Sequence, residues 1–163
     1  MLWVGKEEGT TRTSKSGPKF SVVDNAVAHR LAEARVGRLA TVGADGRPHL
    51  VPCCFARDGE TIYSAVDAKP KSSFKLQRIA NIKATQFASL LVDHYAEDWS
   101  LLWWIRVDGT ARVLESGAEY DQAIELLVDK YEQYRCHRPP GPVIALDASG
   151  WRAWPSPESW SDH

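Results

Sequence analysis

The chain has 163 residues, 44% apolar and 25% charged, with a net charge of −1, which suits one soluble globular domain with a real core. A charge this close to neutral argues against a general nucleic-acid surface. No apolar run reaches membrane-spanning length or forms a signal-peptide h-region, so a cytoplasmic protein without membrane contacts is expected.

Residues 1–19 are rich in Gly, Lys, Ser and Thr and are expected to form a loosely held leader to a single domain over 20–163. Asp24 can cap a helix running to about Arg35, with Val27, Leu31 and Ala34 on one face. Arg38 to Val42 has strand character, and Ala44-Asp45-Gly46-Arg47 is a hairpin turn in which Asp-Gly is the signal. Pro48 to Phe55 returns as the next strand. Pro52 inside it implies an edge, a bulge, or backbone facing something other than a strand, such as a flat ligand. The cysteines Cys53, Cys54 and Cys136 are odd in number and lack Cys-x-x-Cys spacing, so neither a disulfide framework nor a zinc site is expected. Adjacent Cys53 and Cys54 point to opposite faces of a strand and suit small buried positions, with Cys54 as a pocket-lining thiol the alternative.

Asp58-Gly59 turns the chain into a strand over Ile62–Val66. Asp67-Ala68-Lys69-Pro70-Lys71 follows, then a helix over about Ser72–Asn81 with Ser72 or Ser73 as its N-cap. On that helix Lys71, Lys75 and Arg78 fall at i, i+4 and i+7 and share one stripe, beside an apolar stripe of Leu76, Ile79 and Ala80. Such a stripe is either a solvated face or an anion site. No Asp or Glu lies between Lys69 and Lys83, and the Lys-Pro-Lys entry is stiff. Both features favour a phosphate site.

Ala88–Val92 is the next strand and residues 94–99 a loop. Leu101 to Val107 is apolar on both faces, which predicts burial on both, with the outer side covered by a helix or a partner subunit. Asp108-Gly109 predicts a bulge before the sheet continues to Leu114. Residues 117–134 form the clearest helix, with Tyr120, Ile124, Leu127, Tyr131 and Tyr134 on one side. Val143 to Leu146 is the last buried strand, followed by Gly150-Trp151-Arg152-Ala153-Trp154 and a polar tail. Short connections between so many strands predict an α+β fold, an antiparallel barrel with helices packed outside.

Several stretches resemble the pyridoxamine-phosphate-oxidase-like split barrels: Asp45-Gly46-Arg47-Pro48-His49-Leu50-Val51-Pro52, Ala65-Val66-Asp67-Ala68-Lys69-Pro70-Lys71, and Arg78-x-x-Asn81-Ile82. Leu91-Val92-Asp93-His94-Tyr95, Asp98-Trp99-Ser100 and the run Leu102 to Ala111 are similar to the branch that uses coenzyme F420, a deazaflavin, in place of FMN. The resemblance covers about residues 24–154. It implies a split-barrel homodimer with the cofactor between subunits and hydride transfer to a small organic substrate. By the same resemblance, Lys71 and Arg78 hold the cofactor phosphate with Asn81 beside them. Val51, Pro52, Cys53 and Cys54 border the ring system. Val66, Asp67 and Lys69 line the ribityl chain, and Trp99 and Ser100 approach from the second subunit. Lys69 and Lys75 would extend a positive path toward the glutamate tail of F420. Residues 72–77 stand as an insertion relative to the family pattern, and Thr85-Gln86-Phe87 replaces an Asn-Pro-Arg-like turn.

No Ser/His/Asp or paired-carboxylate arrangement supplies a nucleophile, which accords with a cofactor carrying the chemistry. Trp99 and Trp103 are either pocket walls or plain core and interface residues. Three alternatives accompany the F420 enzyme: an FMN-dependent oxidase, a non-enzymatic F420 carrier or sensor, and a haem-binding barrel using His49 or His94.

Overall fold

The computed structural model describes residues 24–67, 76–155 and 160. Seven strands form one antiparallel sheet: β1 (Gly37–Val42), β2 (Pro48–Cys53), β3 (Ala56–Asp58), β4 (Thr61–Ala65), β5 (Phe87–His94), β6 (Trp103–Leu114) and β7 (Val143–Trp154). Four helices pack on it: α1 (Asp24–Glu33), α2 (Gln77–Thr85), α3 (Ala118–Lys130) and α4 (Glu132–Cys136). The strand order is β2-β1-β5-β6-β7-β4-β3. Strands β2 and β3 are therefore consecutive in sequence yet occupy opposite edges, joined only by Cys54 and Phe55. So short a link reaches across only if the sheet curls until its edges nearly meet. This is the expected α+β split barrel, and its seam runs past Phe55, whose side chain is fully buried.

The β1–β2 hairpin follows its sequence signal: the Gly46 N–H donates to the Gly43 carbonyl, and Gly46 holds a φ of 78° that favours glycine. Strand β2 pairs with β1 alone among the described residues, so Pro52 sits on an edge as predicted. The bulge also falls where predicted, between Asp108 and Gly109 of β6. A Cβ at Gly109 would lie 2.1 Å from the Asp147 carbonyl oxygen, so only glycine fits there.

Two apolar clusters fill the molecule. The first joins Val27 and Leu31 of α1, Ile82 of α2, and Leu39, Leu90, Ile105, Val107 and Leu146 of the sheet. The second joins Ala123, Leu127, Tyr131 and Tyr134 to Ala56, Tyr63, Val143 and Ala145. Cys53 packs against the first and Cys54 against the second, the opposite facing expected of neighbours in an extended chain.

Four sequence expectations need correction. Helix α2 occupies Gln77–Thr85 rather than 72–81: Leu76 is its extended N-cap without a side-chain cap bond, and the left-handed Gln86 ends it by donating its N–H to Ile82. Its buried residues are Asn81 and Ile82, while Ala80 is exposed. Of the expected stripe only Arg78 is among the described residues, in the first turn of α2; Lys71 and Lys75 lie outside them. Ser72 and Ser73 lie outside the described residues. The 117–134 helix breaks at Tyr131, which is extended (φ −119°, ψ 113°). That break lets Tyr131 and Tyr134 both enter the second cluster. Strand β7 does not stop at Leu146 but continues to Trp154, paired with β6 along its length. Leu101 and Leu102 belong to a short 3-10 turn (Trp99–Leu101) and its cap, not to β6. On β6 itself, Ile105 and Val107 are buried, whereas Trp104 on the other face is only half-buried.

Candidate functional site

Of the residues singled out by the sequence, the described ones lie on β2 and the link after it, at the exit of β4, on α2 and in the turn after β5. On β2 the inward side carries His49, Val51 and Cys53, all half-buried, and the outward side carries Pro48, Leu50 and Pro52, all exposed. Burial pushes the Cys53 thiol above its usual range, while a hydrogen bond from Ser64 and the positive Arg78 guanidinium oppose the rise. Arg78 of α2 and Cys53 of β2 are thus brought within electrostatic reach of each other. Arg78 is half-buried in the first turn of α2, and no described carboxylate forms an ion pair with it. Lys83, one turn on, is instead exposed and paired with Glu115 at 3.0 Å.

Asn81 is buried, and its amide is engaged within the fold. Its Nδ2 donates to Thr41 Oγ1 at 3.1 Å, and its Oδ1 accepts from Gln77 Nε2 at 2.7 Å. This chain of bonds fastens α2 to β1, and Thr85 Oγ1 adds a bond to the Val42 carbonyl at 3.0 Å. Arg78 therefore stands on a helix fixed to the sheet at its middle, through Asn81, and at its C-terminal end, through Thr85.

Val66 and Asp67 mark the exit of β4. The Val66 N–H donates to the Pro142 carbonyl at 3.1 Å, and the Tyr134 hydroxyl donates to Asp67. Desolvation first, and the bonds to Asp67 and Cys54 second, raise the Tyr134 pKa well above its ordinary value. Tyr134 so links two of the predicted residues, Cys54 and Asp67. Nothing in the sequence marked it beyond its place on the apolar face of the helix. Lys69, Lys71 and Lys75 lie outside the described residues.

Trp99 and Ser100 occupy the turn between β5 and β6, with Ser100 N–H and Oγ donating to Asp98 at 3.0 and 2.7 Å. Since β5 and β2 run in the same direction on either side of β1, this turn lies at the end of the sheet where β2 finishes. Trp99 and Tyr95 are 64% and 65% exposed, an unusual amount of aromatic surface for one turn. Sequence reasoning missed a second aromatic cluster, in which the Arg30 guanidinium lies 4.7 Å from the Trp103 ring and 4.3 Å from the Trp160 ring.

Comparison with known proteins follows this geometry. The family model described as pyridoxamine 5'-phosphate oxidase matches residues 23–155. No curated protein sequence matches the chain. Among solved structures, a conserved hypothetical protein from Mycobacterium tuberculosis aligns with a TM-score of 0.69 at 19% identity, covering 92% of this chain and 95% of that one. The heme storage protein HutZ from Vibrio cholerae gives 0.62 at 16% identity, covering 77% and 89%. A putative pyridoxamine 5'-phosphate oxidase from Listeria innocua gives 0.60 at 19% identity, covering 82% and 98%. At such identities these likenesses speak for the fold alone, whereas the family match spans most of the chain. The chain belongs to the pyridoxamine 5'-phosphate oxidase family.

Proposed function

We propose that this chain is an oxidoreductase that binds coenzyme F420 between two copies of itself and reduces a small organic acceptor. FMN in the same place is the second reading. The observation that carries the proposal is the half-buried Arg78 guanidinium. It stands without a described carboxylate partner, on a helix fastened to the sheet, within reach of Cys53 at the end of a free edge strand. A positive group so placed suits a cofactor phosphate, and the free N–H groups at the start of α2 favour the same charge.

Bound there, reduced F420 supplies the hydride. The chain's own residues bind and orient. Arg78, with Lys71 and Lys75 as proposed companions, would hold the phosphate. The β2 edge would border the ring, and Val66, Asp67 and Lys69 would follow the ribityl chain. Asp67 is steadied for this by Tyr134. Trp99 and Ser100 of the second copy would close over the site and exclude water. The exposed Leu50, Pro48 and Pro52 would be covered in that dimer. FMN shares the phosphate and the tricyclic ring, so Arg78 would serve either cofactor, and the family match is to a pyridoxamine 5'-phosphate oxidase rather than to a deazaflavin-specific enzyme. A haem reading has one observation in its favour, the buried Nδ1 of His49, which finds no hydrogen-bond partner among the described residues.

The test is a parallel titration of the purified protein with F420, FMN and haemin, followed by mixing reduced F420 with quinone, enone and tetrapyrrole acceptors. Tight F420 binding with oxidation of the reduced form supports the enzyme. Binding without oxidation would make the protein a carrier, a Soret band with no F420 affinity would make it a haem protein, and failure of both F420 and FMN to bind refutes the proposal.

A further inference from the structure

Strands β3 and β4 separate at one end of their ladder, where the pairing stops at Ala56↔Tyr63. Beyond it one chain runs back through Cys54 and Cys53 into β2. The other runs on through Val66 and Asp67 toward Lys69, Lys71 and Lys75. The strand that would border the ring and the segment that would reach the phosphate thus leave from the two prongs of one fork. Among the described residues no backbone ladder joins Cys53 and Cys54 to Val66 and Asp67, so the spacing of the prongs is left to side chains.

Side-chain bonds span the fork on both faces. On the side of the first cluster, Ser64 bonds the Cys53 thiol. On the side of the second, the Tyr134 hydroxyl donates to Asp67 and keeps its lone pairs for the Cys54 thiol. Tyr134 is buried and Asp67 exposed, so a carboxylate facing water is tied to a ring held in the packed interior. The backbone beside it is held as well. The Val66 N–H donates to the Pro142 carbonyl at 3.1 Å, and a Cβ at Gly141 would lie 2.7 Å from the Val66 Cβ, so the loop after α4 lies flush against Val66. The Tyr120 hydroxyl donates to the Gly141 carbonyl at 3.3 Å and steadies that loop.

We propose that Tyr134 is a positioning residue for the cofactor: its hydroxyl pins Cys54 and Asp67 together and so sets the spacing between the β2 edge and the segment that begins at Ala68. This rests on the cofactor reading above and adds to it a residue that touches no part of the ligand. A rigid ligand that must meet two sites at once binds well only while their spacing is held. The plainer alternative is that the hydroxyl serves the stability of the second cluster alone, since a buried hydroxyl needs a partner. The two differ in whether the effect of Tyr134 passes through Asp67.

The experiment titrates F420 and FMN into the full chain as wild type, Tyr134→Phe, Asp67→Ala, Asp67→Asn and the double variant Tyr134→Phe/Asp67→Ala. Tyr134→Phe and Asp67→Ala are each expected to weaken binding about tenfold, the loss of one charge-assisted hydrogen bond. The double variant should be no weaker than either single one, because both remove the same contact. Asp67→Asn keeps an acceptor for the hydroxyl and should stay within about threefold of wild type. Unchanged affinity in Tyr134→Phe, or a loss that recurs in full in the Asp67→Ala background, would overturn this inference and leave the cofactor reading standing. If Tyr134→Phe does not fold by circular dichroism, the Asp67 pair decides, and Ala and Asn variants that bind alike would overturn it. Failure of both cofactors to bind wild type would overturn this inference and the cofactor reading together.

Discussion

Removing one oxygen from the seam of the barrel should cost a large share of its stability. The Tyr131 hydroxyl accepts from the Phe55 N–H at 2.9 Å, and its single proton is shared between the carbonyls of Phe55 at 2.9 Å and Arg35 at 3.0 Å. These atoms sit at the two-residue crossing between β2 and β3, and both side chains are buried. Tyr131→Phe keeps the ring and its contact with the Arg35 guanidinium but leaves the Phe55 N–H without an acceptor. A stranded buried donor costs about 1–3 kcal/mol, and the carbonyl bond adds roughly 1 kcal/mol. The expected loss is about 2–3 kcal/mol, or roughly 5–10 °C in melting temperature for a chain of this size. Urea unfolding followed by far-ultraviolet circular dichroism measures it. A loss under about 0.5 kcal/mol with an unchanged denaturant slope would mean that the seam is not held by this hydroxyl.

Arg78→Ala should weaken cofactor binding by about 1–3 kcal/mol in a fluorescence titration, whereas Lys83→Ala, which removes only an exposed ion pair, should not. Gly109→Ala should destabilise the fold by roughly 2 kcal/mol or more in the same urea assay, because its Cβ would collide with the Asp147 backbone. Desolvation, and then the neighbouring Arg35, lower the Lys130 amine from 10.5 to about 8. The charged form is thus disfavoured in the folded state, so stability rises with pH from about 8 toward 10.5. Discounted for its partly solvated position, wild type should gain about 1 kcal/mol on Lys130→Met between neutral pH and pH 10. A flat difference between the two would show that Lys130 is not desolvated.

Local chemistry made parts of the fold legible. Gly46 is needed where φ is positive, Pro52 is confined to an edge by its missing N–H, and Asp108-Gly109 marks the bulge. Val27 and Leu31 of α1 were placed correctly by their spacing alone. What escaped was set by distant partners. The continuation of β7 through Trp151 to Trp154 depends on β6, and the break at Tyr131 depends on Phe55. The crossing at Cys54 and Phe55 depends on closure of the whole sheet. At the candidate site, the placement of Arg78 on a helix and of Cys53 on an edge strand was legible, because helical spacing and a proline-marked edge are visible in sequence. The engagement of Asn81 with Thr41 was not, since nothing near either residue in the sequence announces it. The extension of α2 past Asn81 had the same origin: Ile82 is drawn into the first cluster and the helix runs on to Thr85.

The account turns on a cofactor phosphate held beside the start of α2. Isothermal titration of F420 into wild type and Arg78→Ala, with FMN in parallel, tests it most directly. The expected result is one tightly bound F420 per chain in wild type and at least a severalfold weaker fit in the variant. Binding that ignores Arg78, or no binding of either cofactor, would contradict it.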